Sequence, residues 1–269
     1  MDISIVDTTL RDGEQKAGIA LKTSDKIYIA GILDRLGIFQ IEAGIPAMGG
    51  EEKKSVSKIA GLGMKCKVSS WNRLILADIT HSMECGVDIV HISVPSSDIQ
   101  IKSKLGKSRE WVIDNLRRCV SFCMDKSFAV TIGLEDASRA DPAFMLKIIA
   151  SALIEGVQRV RYADTIGILT RTRIFDEIRS IRSKVDVDIE MHAHNDLGMA
   201  VANTLSAVKA GAAFADCTIG GIGERAGNCS MMEFIKAAKA CFGICSHYNL
   251  KNIKDAQKEI LDIIFKKGF

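Results

Sequence analysis

Glu190-Met191-His192-Ala193-His194-Asn195-Asp196 reads as the C-terminal end of a β-strand spanning 187–194. Residues two apart on a strand point the same way, so Glu190, His192 and His194 share one face. Two imidazoles so placed suit a divalent cation, and a hard oxygen from elsewhere would complete the protein ligands. Asp12, at the end of the apolar run Ile3 to Leu10, is the leading candidate for that oxygen. The plainer alternative is a pair of histidines satisfied by backbone partners at a strand end.

On either side of this stretch, β-branched runs at 3–10, 39–44, 65–70, 88–94, 128–135, 158–164, 187–194 and 214–219 alternate with longer amphipathic stretches. Eight such repeats predict an α/β fold, a TIM (β/α)8 barrel with an extra C-terminal helix. Thr23-Ser24-Asp25 opens one helix, whose apolar positions Ile27, Ala30, Ile32, Leu33 and Leu36 repeat at helical spacing before Gly37 ends it. Ser108, Asp141 and Thr170 open others. Pro46, Pro95 and Pro142 each stand beside a strand end or helix start. The division expected is a catalytic barrel at 1–245 and a helical extension at 246–269. In that extension, Ile253, Ala256, Ile260, Ile263 and Ile264 form one stripe of a helix from Asn252 to Lys267, either packed on the barrel or forming an interface.

The 269 residues are 47% apolar and 26% charged, with a formal charge of +3. That charge is too small to argue for nucleic acid or a membrane surface. No basic region followed by an apolar core opens the chain, and no apolar run spans a bilayer, so a cytoplasmic location is expected. The eight cysteines are scattered and are read as reduced thiols.

A barrel gathers polar residues from its strand ends at one mouth. Strand one ends in Asp7-Thr8-Thr9-Leu10-Arg11-Asp12-Gly13-Glu14-Gln15, strand two in Glu42-Ala43-Gly44, strand five in Glu135-Asp136 and strand six in Ala163-Asp164-Thr165. After strand eight comes Gly220-Gly221-Ile222-Gly223-Glu224-Arg225-Ala226-Gly227-Asn228, whose glycines permit close backbone approach and whose amides could cradle an anion. Charged residues on otherwise apolar strands are costly to bury without a partner or ligand, which favours a functional site.

Asp7-Thr8-Thr9-Leu10-Arg11-Asp12-Gly13-Glu14-Gln15, His192-Ala193-His194-Asn195-Asp196-Leu197-Gly198 and Gly223-Glu224-Arg225-Ala226-Gly227-Asn228 together resemble the DRE-TIM metallolyases, in particular their Claisen-condensing acyl-CoA subgroup. Ile41-Glu42-Ala43-Gly44-Ile45-Pro46-Ala47-Met48-Gly49 is most similar to the nitrogen-fixation type of homocitrate synthase. The resemblance implies an acyltransferase that condenses acetyl-CoA with 2-oxoglutarate and hydrolyses the thioester. It implies that Asp12, His192, His194 and Asn228 hold one divalent metal, whether Mg, Mn, Fe or Zn. Arg11, Gln15, Glu42, Glu135 and Thr165 would bind the 2-oxo acid, and Arg11, Glu190 and His91 are the catalytic candidates. Gly221, Gly223, Glu224 and Arg225 are assigned to the acetyl-CoA side.

Two departures accompany the resemblance. Lysine-pathway homocitrate synthases hold the distal carboxylate with a strand-five arginine, where Thr131 stands here. Family members usually continue into a C-terminal region bearing a catalytic histidine, which is expected here from a separate polypeptide or to have been lost; a homodimer is expected from the resemblance. The competing readings are an isopropylmalate or citramalate synthase, an aldol-type lyase such as hydroxymethylglutaryl-CoA lyase, disfavoured by the Gly-Glu-Arg-Ala-Gly-Asn loop, and a non-catalytic subunit that retains the metal barrel.

Overall fold

The computed structural model describes residues 3–266. Eight strands, β1 (Ser4–Asp7), β2 (Gln40–Glu42), β3 (Lys67–Arg73), β4 (Ile89–Pro95), β5 (Ala129–Glu135), β6 (Arg159–Asp164), β7 (Asp188–Ala193) and β8 (Phe214–Cys217), close into one barrel in chain order. All neighbours are parallel, and the seam pairs Ser4 with Phe214 and Asp7 with Cys217. Helices α1 (Thr23–Arg35), α2 (Gly50–Ala60), α3 (Leu76–Glu84), α4 (Arg109–Met124), α5 (Pro142–Ile154), α6 (Arg171–Arg182), α7 (Ala200–Ala210) and α8 (Met231–Phe242) follow the strands in turn. The eight predicted strands are the eight observed; β3 runs three residues beyond its predicted end at 70.

The helix starts have the chemistry read for them. Ser108, Asp141 and Thr170 accept hydrogen bonds from the amides of Trp111, Ala143 and Arg173 at 3.2, 3.0 and 3.4 Å. At α1 the cap is one residue earlier than expected: Lys22 precedes the helix and donates its amide to Asp25. Gly37 takes φ +74° just past α1, a conformation that L side chains rarely adopt.

Along each strand, apolar and polar residues alternate, with Ile5, Ile41, Val90, Ile132, Val160 and Ile189 joining the hydrophobic core. The intervening positions fill the barrel interior with charge. Arg161 on β6 donates to Glu42 on β2, and Arg159 donates to Gln40, both contacts spanning the barrel between opposite strands.

The extra helix, α9 (Leu250–Lys266), lies against α1, α8 and the short 3₁₀ turn at Ile219–Gly221. Its residues Ile253, Ala256, Ile260 and Ile264 are buried, and Tyr28 on α1 donates a 2.6 Å hydrogen bond to Glu259. The apolar stripe is therefore covered by the barrel itself, the first of the two readings offered for it, and does not form an interface. Lys267, the expected end of that helix, lies outside the described residues. All eight cysteines are free thiols, and among the described residues no helix is long and apolar enough to cross a membrane.

Candidate active site

Immediately after β1 the chain turns sharply. The Asp7 carboxylate accepts from the amide and hydroxyl of Thr9 at 2.9 Å each, and the Thr8 carbonyl accepts the amides of Arg11, Asp12 and Gly13. This turn carries Arg11 and Asp12 over the C-terminal end of the barrel. There Asp12 Oδ2 lies 3.1 Å from His192 Nε2 and 3.7 Å from His194 Nε2, and the two nitrogens are 3.2 Å apart.

Three ligand atoms so spaced fit one cation, because adjacent ligands around a six-coordinate ion with ~2.1 Å bonds stand ~3 Å apart. Asp12, His192 and His194 are buried, and Asp12 Oδ2 has no hydrogen-bond partner of its own. His192 Nδ1 faces Asp216 Oδ2 at 2.8 Å, the carboxylate–histidine arrangement that orients a metal-binding imidazole. Burial would lower the His192 pKa, but Asp216 and Asp12 push it up to about 9, so this pocket of the fold favours positive charge. Burial and the neighbouring His192 hold His194 down at about 4. Burial alone would raise Asp12; Arg11 and the two histidines hold it well below the carboxylate range.

A cavity of ≈ 220 Å³ opens beside the triad and brings together Arg11, Asp12, Gln15, His91, Glu135, Thr165, His192, His194 and Glu224 among the predicted residues. Arg11 Nε donates to Glu42 at 2.5 Å, while its Nη1 lies 3.5 Å from Asp12. Thr165 Oγ1 accepts the Asp136 amide at 2.8 Å. His91 Nδ1 meets Thr131 Oγ1 at 2.9 Å, and burial together with Arg161 lowers its pKa well below the usual value, leaving it neutral. Glu135 accepts from Ser93 and Lys104, each at 2.9 Å.

Other predicted residues stand elsewhere. Glu190 shares the histidine face but sits one pleat deeper, with Oε1 accepting Arg161 Nε at 2.5 Å and Oε2 3.5 Å from Arg159; it is a counter-ion rather than a cavity-lining group. Glu42 is likewise enclosed between Arg11 and Arg161, whose combined charge holds its carboxyl well below the usual range against the effect of burial. Asn228 lies beneath the cavity, Nδ2 donating to Ile222 and Oδ1 buried without a partner.

The glycine-rich loop serves close packing. A Cβ at Gly223 would fall 2.4 Å from Asn228 Nδ2, and one at Gly227 2.1 Å from the Gly221 carbonyl. The amides of Gly221, Ile222, Gly227 and Asn228 already donate to backbone carbonyls, so these four are not available to cradle an anion. Arg225 is spent on a two-pronged contact with Asp196, at 2.8 and 2.9 Å.

Sequence reasoning missed Arg161, Asp216, Trp71, Ser93 and Lys104, all but Asp216 lining the cavity. The polar–apolar alternation of Arg159-Val160-Arg161-Tyr162 was the available signal. A second cavity, of ≈ 590 Å³, adjoins the first and shares Trp71, Ser93, Lys104 and Glu135 with it. Its walls are Leu74, Ile75, Leu76, Leu105 and Trp111, with Arg73 and Arg118 among its lining residues.

Comparison with known proteins agrees with this arrangement. Residues 2–260 match the HMGL-like family model. The chain is 58% identical to homocitrate synthase subunit alpha of Clostridium pasteurianum over 243 residues, covering 90% of each. It is 48% identical to 2-isopropylmalate synthase 2 of Caldanaerobacter subterraneus over 88% of this chain, but spans only 62% of that longer relative. The HMG-CoA lyase of Bacillus subtilis superposes with a TM-score of 0.86 over 98% of this chain and 94% of that one at 17% identity, a likeness of fold. The chain belongs to the HMGL-like family.

Proposed function

We propose that this chain carries out the metal-dependent condensation of acetyl-CoA with 2-oxoglutarate, followed by thioester hydrolysis, as an acyltransferase of the homocitrate synthase type. The observation that carries this reading is the convergence of Asp12, His192 and His194 beside Arg11, on a small polar cavity that opens into a larger apolar one. A 2-oxo acid fits the first, and the second has room and cationic rim for the pantetheine and nucleotide of acetyl-CoA. The catalytic barrel is assigned to 1–245 and the helical extension to 246–269. Eight free thiols suit the reducing cytoplasm, where we place the enzyme.

Asp12, His192 and His194 would hold the cation, with the unpartnered Asn228 Oδ1 close to that set through the His194–Asn228 bridge. A divalent cation there, whether Mg, Mn, Fe or Zn, supplies Lewis-acid polarisation of the 2-oxo carbonyl. Arg11, fixed by Glu42, presents its remaining N–H donors to the oxygen that gains charge as the carbon–carbon bond forms. Thr165, already accepting from Asp136, keeps its hydroxyl proton for the adjacent carboxylate, with Gln15 beside it. Among the described residues Glu135 is the one carboxylate lining both cavities, and it would stand between the two substrates and take a proton from the acetyl methyl group. Ser93 and Lys104 hold it there.

The relative in Clostridium pasteurianum is named as a subunit and matches over nearly its whole length, which supports a separate polypeptide completing the enzyme. A second reading, condensation of another 2-oxo acid, is favoured by Thr131 on β5 and by the likeness to 2-isopropylmalate synthase 2. Mass-spectrometric detection of products from acetyl-CoA, Mn²⁺ and 2-oxoglutarate, 2-oxoisovalerate or pyruvate in parallel decides between them, with Asp12→Ala as control. Homocitrate formed by the parent and lost in the control supports the proposal. Exclusive product from a monocarboxylic 2-oxo acid overturns it.

A further inference from the structure

The first cavity is lined by three arginine or lysine side chains, and they differ in how they are used. Arg11 is tied to the metal end, 3.5 Å from Asp12. Lys104 stands at the rim, 59% exposed and paired with Glu135. Arg161 rises from β6 inside the barrel, only 3% exposed, yet it lines the cavity.

Three of the five N–H donors of Arg161 are engaged: Nε by Glu190 at 2.5 Å, with Asp216 Oδ2 a further ion-pair partner at 3.3 Å, and Nη2 and Nη1 by Glu42 at 2.8 and 3.4 Å. Two donors are left on a side chain only 3% exposed, where a charged donor without an acceptor is costly. Its neighbour in register on β5 is Gly133, which also lines the cavity. A Cβ at Gly133 would lie 2.7 Å from His91 Nε2 and 4.0 Å from the Arg161 Cβ, so the absent side chain is what opens this corner. His91 forms its other wall, held by Thr131.

We infer that Arg161, through its two spare N–H donors in the corner opened by Gly133, is the specificity-determining residue that receives the distal carboxylate of a dicarboxylic 2-oxo acid. This inference rests on the condensation reading above and answers the presence of Thr131 on β5. Arg161 reaches the same interior from the adjoining strand, and Glu42 and Glu190 hold its fork in place.

The test is binding without turnover, on the full chain loaded with Mn²⁺ and lacking acetyl-CoA, by isothermal titration with 2-oxoglutarate and with 2-oxovalerate. The two acids share a five-carbon chain and differ in the distal carboxylate. A charge-assisted contact predicts about 10- to 100-fold tighter binding of 2-oxoglutarate by the parent. In the doubly substituted Arg161→Gln/Glu190→Gln protein, which removes the nearest carboxylate partner of Nε together with the guanidinium, that preference falls to about unity while 2-oxovalerate binds as before. Arg161→Lys keeps a charge without the fork and retains part of the preference; it carries the test alone if the double variant does not fold. Preference undiminished in either folded variant overturns the inference and leaves the condensation reading standing. A parent protein that does not prefer 2-oxoglutarate overturns both.

Discussion

His192 Nδ1 lies 2.8 Å from Asp216 Oδ2, on the side of the ring opposite the Nε2 that faces Asp12. Asp216 is itself held by Thr8 Oγ1 at 2.7 Å, so the ring is oriented from β8 rather than from its own strand. Asp216→Asn is expected to weaken Mn²⁺ binding about 10- to 100-fold, the usual effect of removing such a partner, while activity recovers at saturating metal. Titration of Mn²⁺ by electron paramagnetic resonance measures this directly; unchanged affinity would remove Asp216 from the metal centre.

Lys26 on α1 is buried with its Nζ 2.5 Å from both Glu14 and Glu52, and these carboxylates accept the amides of Leu21 and Ile45. The triad thus ties the β1 loop carrying Arg11 to the loop after β2. Lys26→Met strands two carboxylates and should cost about 3–5 kcal/mol in urea unfolding. Adding Glu14→Gln and Glu52→Gln should recover much of that loss, because the amide acceptors remain and the charge is gone.

Gly133→Ala is predicted to leave the backbone relaxed and to disturb the cavity instead. The new methyl would meet His91 Nε2 at 2.7 Å, so the imidazole must move. The expected outcome is a KM for the 2-oxo acid raised about tenfold or more, with a stability loss of about 1–3 kcal/mol. A KM equal to that of the parent would show that His91 has room to yield.

Asp7 gives the fold a pH dependence of unusual sign. Burial raises its pKa from 3.8 to about 7, against the hydrogen bonds from Thr9. Between those values the folded protein binds the extra proton, so the Asp7 contribution to stability is present at low pH and is lost as pH rises from about 4 through 7. A shift of that size is worth about 4 kcal/mol at most. The difference in unfolding free energy between the parent and Asp7→Asn should therefore tilt in favour of the variant across this range. A flat difference would show Asp7 ionised throughout.

The barrel was legible because each strand carries an apolar outward series, and the helix starts at Ser108, Asp141 and Thr170 carry local capping chemistry. The convergence of Asp12, His192 and His194 was legible because two of them sit on one strand face and the third lies in the turn after β1. What could not be read was depth and partnership. Period two places Glu190 on the histidine face but does not say that it lies a pleat below, against Arg161. The contacts of Arg161 with Glu42 and Glu190 bridge residues 119 and 29 apart, so no local pattern announces them. The packing role of the glycines after β8 was hidden for a similar reason: they accommodate Asn228 and the Gly221 carbonyl, and that crowding exists only once the chain has folded.

The charged filling of the barrel also limits how such a protein can be changed by evolution. Arg161 shares Glu42 with Arg11, Glu190 with Arg159 and Asp216 with His192, so none of these residues has an independent fitness effect. A lineage that exchanges one substrate for another must alter them in compensated sets, passing through intermediates in which a buried charge has lost its partner. Substrate preference in this barrel is accordingly inherited as a block.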